Sequence, residues 1–136
     1  MLNSNEVRYL LIGGYAVGFY GYPRATADIH VWVEISERNA SLIVESLKQF
    51  GFDVANLNRE LFLKEHQIVR LGNPPLRIEL LTSISGVGFE ECYTERTRAT
   101  IDGMNLPVIS LTKLRMNKKA SGRHKDLDDL EQLPEE

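Results

Sequence analysis

The sequence predicts an α/β protein of the α+β kind, a mixed β-sheet flanked by helices. Three observations carry that reading. Short apolar or alternating runs of strand length, at residues 7–13, 28–34, 67–72 and 76–82, are interleaved with runs of helical periodicity. Asp102 followed by Gly103, between two further strand-like runs, is a hairpin signal and adds antiparallel pairing to a strand-helix alternation. The chain closes with two charged helical segments separated by Gly122. Residues 1–136 read as a single domain, with 110–136 as its C-terminal helical part.

Taken in order, "VRYLLIG" (7–13) reads as a buried strand, and "GYAVGFYGY" (14–22) as a short helix that starts at the glycine pair. "YPRATA" is a loop punctuated by Pro23. In "DIHVWVE" (28–34), Asp28, His30, Trp32 and Glu34 alternate with Ile29, Val31 and Val33, so the polar set shares one face. Ser36 caps the next helix, with Asn39 as the alternative cap. Leu42, Ile43, Leu47 and Phe50 recur there at helical spacing, and Gly51 ends it. "LNRELFLKE" (57–65) is a short helix, "QIVRLG" (67–72) a strand and "NPP" a turn. "LRIELLT" (76–82) is a strand with Arg77, Glu79 and Leu81 on one face and Ile78 and Leu80 on the other. "GFEECYTER" (88–96) is a weak helix, and residues 97–110 form the hairpin. Ser110 caps a helix to about Ser121, Gly122 breaks it, and a last helix runs from about Lys125 to Leu133, before Pro134. There Leu127, Leu130 and Leu133 have core spacing, which leaves Asp126 and Asp129 near one edge.

The 43% hydrophobic and 26% charged fractions are those of a soluble globular chain. A net charge of −3 argues against a broad nucleic-acid surface. The basic stretch 115–125 runs straight into Asp126, Asp128, Asp129 and Glu131 and has no interleaved aromatic residue, so an RNA-binding reading of it is weak. The single Cys92 excludes an internal disulfide and suits a reducing compartment. There is no secretory signal pattern, and the longest uncharged run, 9–23, is too short and glycine-rich to span a bilayer. The expected location is the cytoplasm, with no membrane partner.

Four features could carry chemistry, and each has a plainer reading. Gly13 and Gly14 between strand and helix could let the backbone approach a phosphate, or could be simple turn chemistry. Asp28 with His30 could hold a metal, or could be the wet face of an edge strand. Glu79 between Ile78 and Leu80 could face water, unless its strand lies beside that of Asp28, where two acids could share divalent ions. The tail "NKKASGRHKDLDDLEQL" could be a charged helix pair with a solvated face.

In sequence order these features resemble a known pattern. "GGYAVGFYGYPRATADIHV" is similar to the opening motif of the DNA polymerase β-type nucleotidyltransferase superfamily, in the bacterial branch that includes AbiEii-like abortive-infection toxins. That branch reads Gly-Gly-x-Ala, then Gly-x-x-Arg-x-Thr-x-Asp-x-Asp, and is matched by Gly13, Gly14, Ala16, Gly21, Arg24, Thr26 and Asp28. "RIELL" resembles the strand of the third carboxylate, with Glu79 in the acidic position. Lys118, Arg123, Lys125, Asp126, Leu127 and Asp129 match the C-terminal signature Lys…Arg-x-Lys-Asp-Leu-x-Asp-Leu.

The resemblance implies a polymerase β-like nucleotidyltransferase fold with two C-terminal helices. It implies transfer of a nucleoside monophosphate from a nucleoside triphosphate to an acceptor hydroxyl of an RNA, a protein or a small molecule, with pyrophosphate leaving. It implies Mg²⁺, or Mn²⁺, held at Asp28, His30 and Glu79, since two cations about 3.5–4 Å apart stabilise both the attacking and the leaving oxygen. By the same resemblance Gly13, Gly14 and Lys118 contact the nucleotide phosphates, Asp126 orients or exchanges a proton, and Arg24 is either a phosphate contact or a loop ion-pair partner. An antitoxin protein is the implied partner of a toxin of this kind.

Two departures qualify the implied activity. The pattern has a second Asp where this chain has His30. Imidazole offers one nitrogen, cannot bridge two ions as a carboxylate does, and suits Mn²⁺ or Zn²⁺ better than Mg²⁺. The expected result is weakened or lost transfer rather than a new metal preference. The pattern's members also begin with a helix, for which only about six residues precede "VRYLLIG" here. A shortened start would leave an apolar surface that a partner or a second copy would cover. Two function classes follow: a nucleotidyltransferase, or a non-catalytic nucleotide-binding or protein-interaction module on the same fold.

Overall fold

The computed structural model describes residues 6–21, 28–49, 58–72, 77–101 and 103–134, Asp28 and Ile101 by their backbone alone. Among these residues six strands form one sheet: β1 (Tyr9–Ile12), β2 (Asp28–Val33), β3 (Ile68–Leu71), β4 (Arg77–Leu81), β5 (Thr97–Ile101) and β6 (Met104–Val108). Five helices accompany them: α1 (Gly13–Phe19), α2 (Glu37–Gln49), α3 (Phe89–Thr94), α4 (Leu111–Ser121) and α5 (His124–Gln132). The order across the sheet is β3-β4-β2-β1-β6-β5. β1 pairs antiparallel with β2 and parallel with β6, β2 pairs parallel with β4, and β3 and β5 close the edges antiparallel. This is the mixed α/β sheet the sequence predicts.

Most element boundaries follow local chemistry. The Ser36 hydroxyl accepts from the Asn39 amide at 3.1 Å, so Ser36 caps α2. Asn39 is buried instead, and its amide group ties β1 to β2 beyond their ladder through the Arg8 amide and the carbonyls of Arg8 and Glu34. The helix expected over 57–65 is only a 3₁₀ turn, Arg59–Phe62, whose first donor is taken by Asn58. Ser110 caps α4, and Gly122 ends it at φ +65°, a left-handed position that suits a residue without Cβ. The hairpin forms with Ile101 opposite Met104; Asp102 lies outside the described residues.

The central strands are covered on both faces. Val31, Trp32 and Val33 are consecutive and all buried, which alternation cannot achieve on a half-wet sheet. Trp32 donates its indole N–H to the Thr82 carbonyl and meets Phe89 of α3 edge-on, with centroids 5.1 Å apart. The face read as polar from Asp28, His30, Trp32 and Glu34 therefore changes character along β2, because α3 and the segment after β4 roof its second half. The apolar side of α2, with Ala40, Ile43, Val44 and Leu47, completes the core.

The last helix corrects the sequence reading. Leu133, just past α5, is buried as expected, but Leu127 is 41% exposed while Asp126 and Asp129 are buried, so the two acids occupy the inward side of the helix where Leu127 was expected. Arg115 of α4 donates to the carbonyls of Leu130 and Leu133 and so caps the C-terminal end of α5. No helix among the described residues is long and apolar enough to cross a membrane.

Candidate functional site

β2 and β4 are adjacent and parallel, and their register sets Asp28 opposite Arg77 and His30 opposite Glu79. Positions 28, 30, 77 and 79 are thus in phase on neighbouring strands. β3 adds Arg70 directly opposite Glu79, and β1 adds Ile12 opposite His30. One row across four strands reads Ile12, His30, Glu79, Arg70.

Side chains in this row meet. His30 Nε2 lies 3.5 Å from Glu79 Oε2. On the other oxygen, Arg70 Nε is 3.2 Å and an Arg77 terminal nitrogen 3.6 Å from Glu79 Oε1. The Glu79 side chain is only 11% exposed, so the reading of a glutamate turned to water does not hold. A carboxylate so far removed from solvent needs such partners.

The glycine turn is built against the same histidine. Gly13 has φ +67°, and a Cβ there would sit 2.9 Å from His30 Nδ1. The position needs glycine twice over, for its backbone angle and for the approach of the imidazole ring. Gly14 follows within α1.

Lys118 and Asp126 meet each other in a different cluster. Lys118 Nζ is 2.8 Å from Asp126 Oδ1 and 3.2 Å from Asp129 Oδ2, and all three residues are buried between α4 and α5. Ser121 and Arg123 also donate to Asp126 Oδ2, Arg123 at 2.9 Å. Burial alone would raise the Asp126 carboxyl. The hydrogen bonds from Lys118, Ser121 and Arg123, with the Lys118 charge, outweigh it and bring the pKa down to about 2. α4 is held to the segment that follows β4 by Asn117, whose amide donates to the Ser85 carbonyl, and by Gly86 packed on Ala120.

Arg24 and Thr26 lie outside the described residues, and Asp28 contributes its backbone only. The row therefore joins Gly13, His30 and Glu79, while Lys118 and Asp126 form the second cluster. Arg70 and Arg77 were not singled out in the sequence; the alternation Arg77-x-Glu79 is the signal for one of them, whereas Arg70 is recognisable only once β3 is paired.

Among the described residues no group of three or more His, Cys, Asp or Glu side chains is arranged to hold a metal ion. Among the described side chains, which do not include that of Asp28, the donors that meet are one imidazole and one carboxylate already facing two guanidiniums, and these two alone do not make the oxygen-ligand set that a pair of magnesium ions takes.

The fold aligns with the crystal structure of a provisionally assigned nucleotidyltransferase from Thermotoga maritima, over 96% of this chain and 84% of that one, with a TM-score of 0.61 and 17% identity. The likeness is one of fold, and the fold is nucleotidyltransferase-like. No protein-family model and no curated protein matches the chain by sequence.

Proposed function

We propose that this protein binds a nucleoside triphosphate where β1 passes into α1, and that it belongs to the AbiEii-like toxin branch with transfer weakened at His30. The observation that carries the reading is the 3.5 Å approach of His30 to Glu79 on adjacent parallel strands, beside the Gly13 turn, in a nucleotidyltransferase-like fold. Two positions far apart in the chain, singled out as metal-ligand positions, are thereby neighbours.

In this reading Gly13 and Gly14 approach the phosphates, with Arg24 as a further phosphate contact. Lys118 takes part only by exchanging Asp126 and Asp129 for the ligand. The acceptor hydroxyl, of an RNA, a protein or a small molecule, attacks the α-phosphorus; the bond to the bridging oxygen breaks and pyrophosphate leaves. The transfer is weakened because an imidazole stands where a second carboxylate would bind Mg²⁺ or Mn²⁺, and loss of even an outer partner of a metal site costs about 10–100-fold. A cytoplasmic antitoxin partner and self-association belong to the same proposal.

Calorimetry and pyrophosphate release with Mg²⁺ or Mn²⁺ test it together. The wild-type chain should bind a nucleoside triphosphate and release little pyrophosphate, and His30→Asp should raise release at least about tenfold. Absence of both nucleotide binding and release in the two proteins would overturn the reading. Binding without release in His30→Asp would favour the second reading, a nucleotide-binding or interaction module without catalysis. Its support is the occupation of Glu79 Oε1 by Arg70 and Arg77.

A further inference from the structure

Arg8, Arg38, Arg96 and Arg98 come from four separate segments: the approach to β1, helix α2, the link from α3 to β5, and β5 itself. Folding gathers them around one open cavity of about 330 Å³ that also takes in Tyr93 and Glu6. Four guanidiniums and one carboxylate line it, and with Glu34 and Glu90 against Arg8 the local charge is +1, on a chain whose net charge is −3. A concentration of charge against the sign of the whole molecule marks a place for anions.

Two of the arginines are set in position by one ring. The Arg96 guanidinium lies 4.1 Å and that of Arg8 5.3 Å from the Tyr93 centroid. Arg96 is also fixed by a 2.7 Å hydrogen bond to the Tyr93 carbonyl. Stacking on an aromatic face leaves a guanidinium's N–H edge available to oxyanions. It also covers the ring, so this pocket offers donors rather than a stacking surface for a base. Of the carboxylates nearby, Glu34 is hydrogen-bonded by Arg8 at 3.2 Å and by Ser36, whereas Glu90 at 3.9 Å from Arg8 and Glu6 at 3.7 Å from Arg38 are exposed and held loosely. The two exposed pairs, Glu90 with Arg8 and Glu6 with Arg38, contribute little and exchange readily for a stronger anion.

The cavity is distinct from the row at His30. Arg8 and Tyr9 line it at the start of β1, whereas His30 faces Ile12 at the end of that strand. Tyr9 and Ile12 are three positions apart along the strand, about 10 Å.

We propose that this cavity is a second binding site, for two or more closely spaced phosphate groups, as presented by a polyphosphate chain or a single nucleic-acid strand. The site needs no metal, because arginine supplies the positive charge, and it does not depend on the nucleotidyltransferase reading.

The test measures binding of sodium tripolyphosphate by calorimetry, and of a labelled ten-nucleotide RNA by anisotropy, in buffer containing a chelator. At least one probe should bind at low salt. Arg38→Ala and Arg98→Ala, both at exposed positions, should each weaken binding about tenfold, the size of one charge-assisted hydrogen bond. Glu79→Gln should leave it unchanged. For the RNA, about three neutralised phosphates imply roughly 20-fold weaker binding between about 50 and about 200 mM salt. Binding of both probes identifies the phosphate chain as sufficient; binding of the RNA alone identifies the strand as the source. No binding of either, binding that survives the Arg38→Ala, Arg98→Ala double substitution, or binding lost in Glu79→Gln would overturn the proposal.

Discussion

Lys118 Nζ lies 2.8 Å from Asp126 Oδ1, with the two side chains 7% and 6% exposed, and this contact joins α4 to α5 across the Gly122 turn. Asp129 shares the same ammonium at 3.2 Å. Removing the cation would leave two buried carboxylates facing each other. Lys118→Met should therefore cost about 3–5 kcal/mol, as breaking a buried ion pair does. Asp126→Asn should cost less, because Asp129 still balances the lysine. Urea unfolding followed by circular dichroism measures both; equal or negligible losses would show that the cluster does not hold the helix pair.

The same cluster sets a pH dependence. The folded Asp126 carboxyl sits at about 2, below its ordinary 3.8, so between these values the unfolded chain binds more protons than the folded one. The contribution is fully present above about pH 3.8 and is lost as the pH falls through about 2. Its size is roughly 2 kcal/mol. In Asp126→Asn the fall in stability between pH 4 and pH 2 should be correspondingly shallower in thermal melts, and a profile parallel to that of wild type would refute the assignment.

Gly13 and His30 should be coupled. Gly13→Ala places a side chain at φ +67°, about 1–2 kcal/mol by itself, and drives the new methyl into the imidazole. His30→Ala relieves the second cost and not the first. A double-mutant cycle should therefore show a coupling of about 1 kcal/mol, and additive losses would mean that the ring moves aside freely.

Cys92 is fully buried, and that burial, ahead of the opposing Lys113 charge, pushes its thiol up to about 11. The thiolate is the reactive form. In the folded protein at pH 8 Cys92 should resist alkylation by iodoacetamide, and it should react at the rate of a free thiol only in denaturant. Rapid labelling of the native chain, read by mass spectrometry, would contradict this placement.

The parts of the molecule legible in the sequence are those that depend on neighbours along the chain. Ser36, Ser110 and Gly122 mark helix ends through bonds and backbone angles within a few residues, and the pairing of Ile101 with Met104 follows from a two-residue turn. The alternation in β2 and β4 correctly put positions 28 and 30, and 77 and 79, in phase on their strands. Burial was less legible. Alternation groups Trp32 with a polar face, and helical spacing groups Leu127 with the core, because neither sequence run records that α3 roofs β2 or that Lys118 draws two aspartates inward.

What the sequence by itself determined was the inventory of elements, the mixed sheet and the candidate positions, since periodicity, caps and turns act over a few residues. Tertiary structure alone decided that Glu79 faces His30, Arg70 and Arg77 at once, that Lys118 is spent on Asp126 and Asp129, and that four scattered arginines share one cavity. Strand register and burial are properties of pairs of distant segments, and the energy of a charge depends on which partners and how much water those pairings leave beside it.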